Sequence, residues 1–456
     1  MIHRYQKNGL NFVLDVNSGA VHVLDVISYA VSGLIDENMA DTCPQQIVDE
    51  LSQYPADEVR EAYSELAELK KTGQLFAQDD YIDVSKYIPV GAPVKALCLH
   101  VAHDCNLRCK YCFASTGDFG QGRKIMPPEI ARKAIDFVIA RSGKRHNIEV
   151  DFFGGEPLMA WDTVVQTVDY ARSLEEKFDK KFRFTITTNG LLLDEDKRAY
   201  INENMDNVVL SLDGRPGVND EFRKTVSGAG SYDVIVPKFK ALVDARDPKK
   251  DYYARGTFTS HNLDFADDVV HIADAGFDRL SVEPVTADPG CGYDLTEEDL
   301  PKIEAEYDRL TEIMLERRKA GKPFSFFHFM VDLDQGPCVV KRLRGCGAGY
   351  EYVAVTPDGD IYPCHQFVGK DEFKQGSVLD QSFDMDIAAK FAGMNIYTRP
   401  KCQKCWAKFY CSGGCSAANY NMNHDMNDSY DLGCEMERKR LECAIYLKAA
   451  EKICAD

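Results

Sequence analysis

A chain of 456 residues, 45% of them apolar, has material for a large core and for two or three domains. Its formal charge of −19 excludes a broad basic face and so argues against nucleic acid as a partner. No apolar run of about eighteen residues occurs, so no membrane-spanning helix and no membrane partner is expected, and Met1–Lys7 lacks the apolar core of a signal peptide; the expectation is a soluble, cytoplasmic protein.

Residues 1–85 read as a small unit of their own. Short strands between Arg4 and Leu24 turn at Lys7-Asn8-Gly9 and Asn17-Ser18-Gly19, and helical patterns follow near Val26–Ile35, Pro44–Ser52 and Ala56–Thr72. Strands followed by three short helices resemble a winged-helix-like peptide-recognition module. Asp79–Pro93 reads as a linker, broken by Pro89 and Pro93.

Residues 94–320 alternate strand and helix. Apolar runs at Ala96–Val101, Ile148–Phe153, Phe182–Thr187, Val208–Leu212, Ala254–Thr259 and Leu280–Val285 are separated by helical patterns such as Pro127–Ser142 and Trp161–Phe178. Repeated strand–helix units predict an α/β fold with a parallel sheet, and six units make a partial (β/α)6 barrel whose site lies at the carboxyl ends of the strands. Residues 335–456 are cysteine-rich and interrupted by turns such as Thr356-Pro357-Asp358-Gly359, so metal clusters are the expected source of stability there; a final helix is predicted near Glu435–Ala455.

The chain has sixteen cysteines, most of them clustered at short spacings. In a long chain without an export signal that pattern points to metal ligation in a reducing compartment. Cys105, Cys109 and Cys112 follow the first strand of the repeat in a CxxxCxxC triad. Three thiolates so close can hold one 4Fe–4S cluster, and the missing fourth ligand leaves one iron open for a small molecule. Gly154-Gly155-Glu156-Pro157 ends the second strand, Thr187-Thr188-Asn189-Gly190 the third and Ser211-Leu212-Asp213-Gly214 the fourth.

The triad, with the aromatic Tyr111 before its third cysteine, and the GGEP turn resemble the radical S-adenosylmethionine (SAM) superfamily. That resemblance implies that SAM chelates the open iron, is cleaved reductively, and yields a 5′-deoxyadenosyl radical that abstracts hydrogen from an unactivated C–H bond. It implies SAM-site roles for Tyr111, Gly154, Gly155 and Glu156, the last pairing with the ammonium of SAM, and for Ser211 and Arg223; a strand-end turn for Ser211, a solvated helix charge for Arg223 and a plain turn for Asn189-Gly190 are the structural alternatives.

Downstream, Cys346, Cys364, Cys402, Cys405, Cys411, Cys415 and Cys434 are similar in spacing to the SPASM extension of peptide-modifying radical SAM enzymes. By that resemblance one auxiliary 4Fe–4S cluster uses Cys402, Cys405, Cys411 and Cys434, and a second uses Cys346, Cys364 and Cys415, with Cys338 as its fourth ligand or an open iron in its place. That makes three clusters with the SAM-binding one. Zinc is the chemical rival, because Cys402-x2-Cys405 alone could begin a zinc knuckle. Relatives that oxidise sulfatase residues place Asp directly after the cysteine at the Cys364 position, where this chain has His365.

Peptide-recognition front end, partial barrel and SPASM extension together resemble the maturases of RiPPs, ribosomal peptides modified after synthesis, and among them the sactisynthase-like maturases of the cysteine-rich SCIFF peptides. The implied reaction is a thioether crosslink between a peptide cysteine sulfur and the α-carbon of an acceptor residue, Thr in expectation. The implied partners are a precursor peptide whose leader adds to the sheet edge near Ala20–Leu24, and an electron donor such as flavodoxin or ferredoxin. Two other readings stand beside this one: another SPASM peptide modification (Ser or Cys oxidation, or carbon–carbon crosslinking), and a non-catalytic Fe–S or zinc scaffold.

Overall fold

The N-terminal strands form because each is short, alternating and closed by a residue pair made for a tight turn. β1 (Ile2–Lys7) and β2 (Leu10–Asp15) pair antiparallel across Asn8-Gly9, both at positive φ, which suits a two-residue hairpin loop. β3 (Val21–Leu24) pairs with β2 and is the other edge of this three-stranded sheet. Helices α1 (Val26–Ser32), α2 (Gln45–Glu50) and α3 (Ala56–Lys71) follow. In α3, Val59, Ala62, Tyr63, Leu66 and Ala67 recur at helical spacing and are buried, with Asp57 and Glu58 in the first turn and Lys70 and Lys71 in the last.

The computed structural model describes residues 1–84, 91–333 and 339–453. The chain divides into two units: Met1–Ile88 with His328–Gly345 and Asn395–Asp456, and Pro89–Phe327 with Cys346–Met394. The N-terminal module therefore does not stand alone. Within its unit β1 lies against the C-terminal helix: the Tyr5 hydroxyl donates to Glu442 O (3.2 Å), Asn8 Nδ2 to the Tyr446 hydroxyl (3.0 Å), and the His3 ring stacks on Trp406 at 3.7 Å. A small core of Val16, Leu343, Ile396, Cys402 and Phe409 draws on every segment of this unit.

In the other unit the apolar runs are strands, within a few residues of their expected limits. β4 (Ala96–His103), β5 (Asn147–Gly154), β6 (Lys181–Thr188), β7 (Asn207–Ser211), β8 (Asp251–Phe258) and β9 (Arg279–Pro284) lie parallel in sequence order. The helices between them include α4 (Pro128–Arg141), α5 (Trp161–Phe178), α6 (Glu195–Asn204), α7 (Tyr232–Asp244), α8 (Phe265–Asp274) and α9 (Leu300–Lys319). Alternation along the strands sorts the two faces. Ile148, Val150, Phe152, Phe182, Phe184 and Ile186 are fully buried, while the residues between them, such as Asp151, Thr185 and Thr187, are polar and partly accessible.

The expectation of an irregular region after residue 335 is corrected here. Tyr352–Val355 is a strand, β10, paired parallel to β4, and Asp360–Tyr362 is β11, returning antiparallel to it. Thr356-Pro357-Asp358-Gly359 is the hairpin turn between them, with Gly359 at φ +88°. The sheet thus stays open at β4 because β10, not β9, occupies that edge. The C-terminal helix, α10, runs Asp431–Ile453. No described helix is long and apolar enough to cross a membrane. Cys338 and Cys454 lie outside the described residues.

Because β1 and the turn after it bond to α10 through Tyr5 and Asn8, removing residues 1–84 should lower the melting temperature by about 5 °C or more and reduce the iron bound by the C-terminal cysteines. A truncated chain with unchanged melting and unchanged iron per chain would show that the module is energetically separate.

Candidate active site

The site begins where β4 ends. After His103 the chain leaves the sheet and presents Cys105, Cys109 and Cys112 in one loop. Backbone bonds on two sides hold that loop. On one side Gly155 N–H donates to Ala102 O (2.8 Å) and Glu156 N–H to Asp104 O (2.9 Å); on the other Arg108 N–H donates to Lys224 O (2.7 Å) and Lys110 N–H to Phe222 O (3.1 Å). The first pair explains the two glycines. A Cβ on Gly154 would sit 2.2 Å from Ala102 O, and one on Gly155 2.1 Å from Asp104 O. The glycines are needed for backbone to meet backbone, rather than for approach to a ligand. Gly117, at φ +97°, closes the loop the same way against Cys105 and Gly155.

Glu156 lies in the GGEP turn, and its carboxylate is committed inside the protein. It accepts from Leu158 N–H (3.0 Å), the Thr188 hydroxyl (2.7 Å) and Asn189 N–H (2.8 Å), tying the end of β5 to the end of β6. Burial raises its pKa above the ordinary carboxylate value, against these hydrogen bonds. Three of roughly four acceptor positions are thus taken, which leaves at most one for an ammonium. Asn189 does more than make a turn: its Nδ2 donates to Asn106 Oδ1 (2.8 Å) and reaches the Cys105 sulfur at 3.6 Å.

Arg223 is not a solvated charge. It follows the short helix Pro216–Phe222, is 7% exposed, and its Nη1 donates to the Tyr111 hydroxyl at 3.0 Å, while Tyr111 in turn donates to Asp213 Oδ2 at 2.6 Å. Its Nε is buried with no partner. Ser211 is the last residue of β7 and lines the same cavity. Asp213, quoted in the sequence motif but given no role there, is fully enclosed and also accepts from Thr257 N–H (3.2 Å).

These groups surround one cavity of about 240 Å³ that collects Cys105, Cys109, Cys112, Tyr111, Gly154, Gly155, Glu156, Ser211 and Arg223. Burial pushes the Cys105 thiol up to about 12, with Glu156 adding to the shift, and the Cys109 thiol to about 11 against the pull of Arg223. No other described cysteine lines the cavity. Three thiols facing one hollow without a fourth, beside an orphaned guanidinium N–H, fit a cluster with an open iron and a carboxylate-bearing ligand. Cys105, Cys109 and Cys112 would hold the iron, and Arg223 and Ser211 the ligand's polar end.

A second thiol cavity, of about 230 Å³, lies in the other unit and is lined by Cys402, Cys405, Cys411 and Cys434. Cys405 N–H donates to Cys402 O (3.0 Å), and Cys434 enters from the first turn of α10. Burial lifts Cys411 to about 12, helped by Glu437, and Cys434 to about 11 against Arg438. Four thiols around one hollow are a ligand set that suits an iron–sulfur cluster. Cys346 and Cys364 belong to the barrel unit and Cys415 to the other unit. Sequence reasoning gave no role to Arg255, Thr257 and Glu283, which also line the first cavity, and noted His365 only for its place after Cys364; each is an isolated polar residue with no local motif.

Gly155→Ala should cost about 1–3 kcal/mol through the clash with Asp104 O and should lower iron bound at the Cys105 loop. Gly217→Ala, where a Cβ meets nothing within 4 Å, is the matched control and should change neither melting nor visible absorbance per chain.

The comparisons with known proteins agree with this geometry. The Radical SAM superfamily profile matches residues 99–254, and SPASM, an iron–sulfur cluster-binding domain, matches 346–406. The mycofactocin maturase MftC of Mycobacterium ulcerans is 28% identical over 72% of this chain and 84% of its own length. The radical SAM cyclopropyl synthase TigE of Paramaledivibacter caminithermalis is 24% identical over 73% and 70%. Among solved structures, anSMEcpe with bound AdoMet shares the fold with a TM-score of 0.66 at 21% identity, over 79% of this chain and 100% of that one. Streptococcus suis SuiB bound to precursor peptide SuiA aligns at 0.52 and 17% identity, over 94% and 97%. With both profiles matched in the order in which the fold presents them, the chain carries a Radical SAM superfamily domain over residues 99–254 and a SPASM iron–sulfur cluster-binding domain over 346–406, and it is a radical SAM enzyme.

Proposed function

We propose that this enzyme is a peptide maturase that joins a cysteine sulfur to the α-carbon of an acceptor residue, Thr in the first instance, within a cysteine-rich precursor peptide. The observation that carries the reading is the pairing of a three-thiol cavity at the barrel mouth with a separate four-thiol cavity in the unit that holds the N-terminal sheet. Peptide-modifying relatives and neighbours support the substrate class: MftC is a maturase, and SuiB has been crystallised with a precursor peptide.

Thioether formation removes two hydrogens from the peptide. The acceptor Cα hydrogen leaves as an atom, the thiol hydrogen as a proton, and one electron departs as the C–S bond closes. When bound, the open-iron cluster with SAM supplies the radical that takes the hydrogen atom, and the auxiliary clusters supply the electron sink. The chain's own residues shape the reaction. Glu156 and Asn189 fix the strand ends around Cys105, Arg223 and Ser211 anchor the ligand, and the cavity walls exclude water. Two auxiliary clusters are proposed, one on Cys402, Cys405, Cys411 and Cys434, the other on Cys346, Cys364 and Cys415, making three in all. Cys338 is the candidate fourth ligand of the latter.

Recognition of the leader is assigned to β3. It is an edge strand that pairs only with β2 among the described residues, and Val23 is 41% exposed on it. A flavodoxin or ferredoxin is the proposed electron donor. His365, in place of the Asp expected of sulfatase-oxidising relatives, lines the cavity and favours crosslinking over Ser or Cys oxidation.

With the precursor peptide, SAM and a reductant, the product should be lighter by two hydrogens per crosslink, and one cysteine per crosslink should resist alkylation. A product whose cysteines all alkylate would assign the enzyme to another peptide modification. Cys105→Ala should abolish formation of 5′-deoxyadenosine yet retain iron at the C-terminal cysteines; residual SAM cleavage above background would overturn the cluster assignment.

A further inference from the structure

The cavity at the barrel mouth has more wall than a cluster and SAM would use. Beyond the groups assigned to those ligands it is lined by Phe113, Phe153, Arg255, Glu283 and His365, from both sides of the opening. Arg255 lies on β8 and Glu283 on β9. Arg255 is in register with Ser281 and Glu283 with Thr257, so the two side chains reach diagonally across adjacent strands. They meet in a bidentate pair, Nε to Oε1 at 2.9 Å and Nη2 to Oε2 at 2.5 Å. Thr187 and Thr257, which line the same cavity, are neutral, whereas this pair brings two full charges to its wall.

Stability does not account for the pair. The side chains are 48% and 32% accessible through the cavity, and ion pairs so accessible contribute about 0–1 kcal/mol. What the arrangement does provide is a guanidinium fixed in direction. Glu283 takes two of the five N–H donors, on Nε and Nη2, and among the described residues Nη1 makes no hydrogen bond. Elsewhere on the cavity wall His365 packs against two aromatic rings, its centroid 5.0 Å from Phe153 and 5.5 Å from Phe113. A fixed donor fork in a cavity that also has an aromatic wall matches an extended peptide: backbone carbonyls need donors, and a small side chain needs an apolar seat.

We infer that Arg255, oriented by Glu283, is a positioning residue for the substrate peptide, donating to backbone carbonyls of the acceptor segment and holding it against Phe113, Phe153 and His365. The inference rests on the peptide-maturase reading and specifies where in the cavity that peptide lies. Loss of the fork should leave radical initiation running but misdirect it, because the acceptor hydrogen is no longer held within reach.

The test uses full-length reconstituted enzyme with SAM, a chemical reductant and a synthetic peptide that carries several cysteines and threonines. It reads modified peptide formed per 5′-deoxyadenosine released, the KM for peptide and the KM for SAM. Arg255→Met and Glu283→Gln should lower the product ratio by about tenfold or more, the loss of one charge-assisted hydrogen bond. Peptide KM should rise while SAM KM stays within about twofold. Arg255→Lys should recover part of the ratio. The charge-swapped Arg255→Glu, Glu283→Arg enzyme, with wild-type iron and melting, should remain as impaired as Arg255→Met, since a carboxylate then faces the peptide carbonyls. A swapped enzyme that regains the wild-type ratio would reduce the pair to a structural strut and overturn the inference. So would a shift confined to SAM KM, which would place Arg255 on the cofactor side. Wild-type enzyme that cleaves SAM but leaves the peptide unmodified would overturn the maturase reading itself, a result separable from normal wild-type product with unchanged variant ratios.

Discussion

The docking of one loop on two neighbouring backbones governs the rest of this structure. The Cys105–Cys112 loop has no regular secondary structure to hold its thiols, so its position comes from hydrogen bonds to the GGEP turn and to the segment around Lys224. Both contacts require backbone to approach within bonding distance, which only glycine permits at 154 and 155. The same contacts decide what else the site contains. The bond from Arg108 N–H to Lys224 O brings Arg223 to the cavity, and the turn that receives Asp104 O carries Glu156. A displaced loop would therefore lose its guanidinium and its strand-end carboxylate together with its geometry.

Charge follows from that geometry. The chain is strongly acidic, yet its two thiol cavities hold few cations: Arg223 and the Glu283-paired Arg255 at the first, and Lys401, Lys408 and Arg438 at the second. Lys401 and Lys408 are themselves paired with Asp431 and Asp79. Buried thiols with so little compensation hold their protons, as the raised values for Cys105, Cys109, Cys411 and Cys434 express. Iron held by these thiols would supply the missing positive charge, which would link metal uptake to the final packing of these segments.

The partition of the chain also bears on peptide recognition. A recognition module built from residues 1–85 would act as a detachable adaptor, whereas here β1 is packed on α10 and His3 stacks on Trp406, one residue past Cys405. The edge proposed for a leader peptide, β3, belongs to the same three-stranded sheet. Sheet, C-terminal helix and four-thiol cavity are parts of one unit, and its order depends on all of them.

The sequence by itself determined the repeating strands and helices, the cysteine spacings and the GGEP turn, because each is local: alternation, helical period and short-range ligand spacing leave their mark within about twenty residues. It also marked Arg223 and Ser211, though only through resemblance. It missed β10, a four-residue strand whose partner β4 lies some 250 positions earlier, since parallel pairing at that range has no local signature. It missed the fusion of residues 1–88 with the C-terminal segments, and it missed Asp213, Arg255 and Glu283 as parts of the site. Those residues acquire meaning only when separate strands bring their side chains to one cavity. Tertiary structure decided that, because an ion pair between β8 and β9 is a fact of strand register and not of composition.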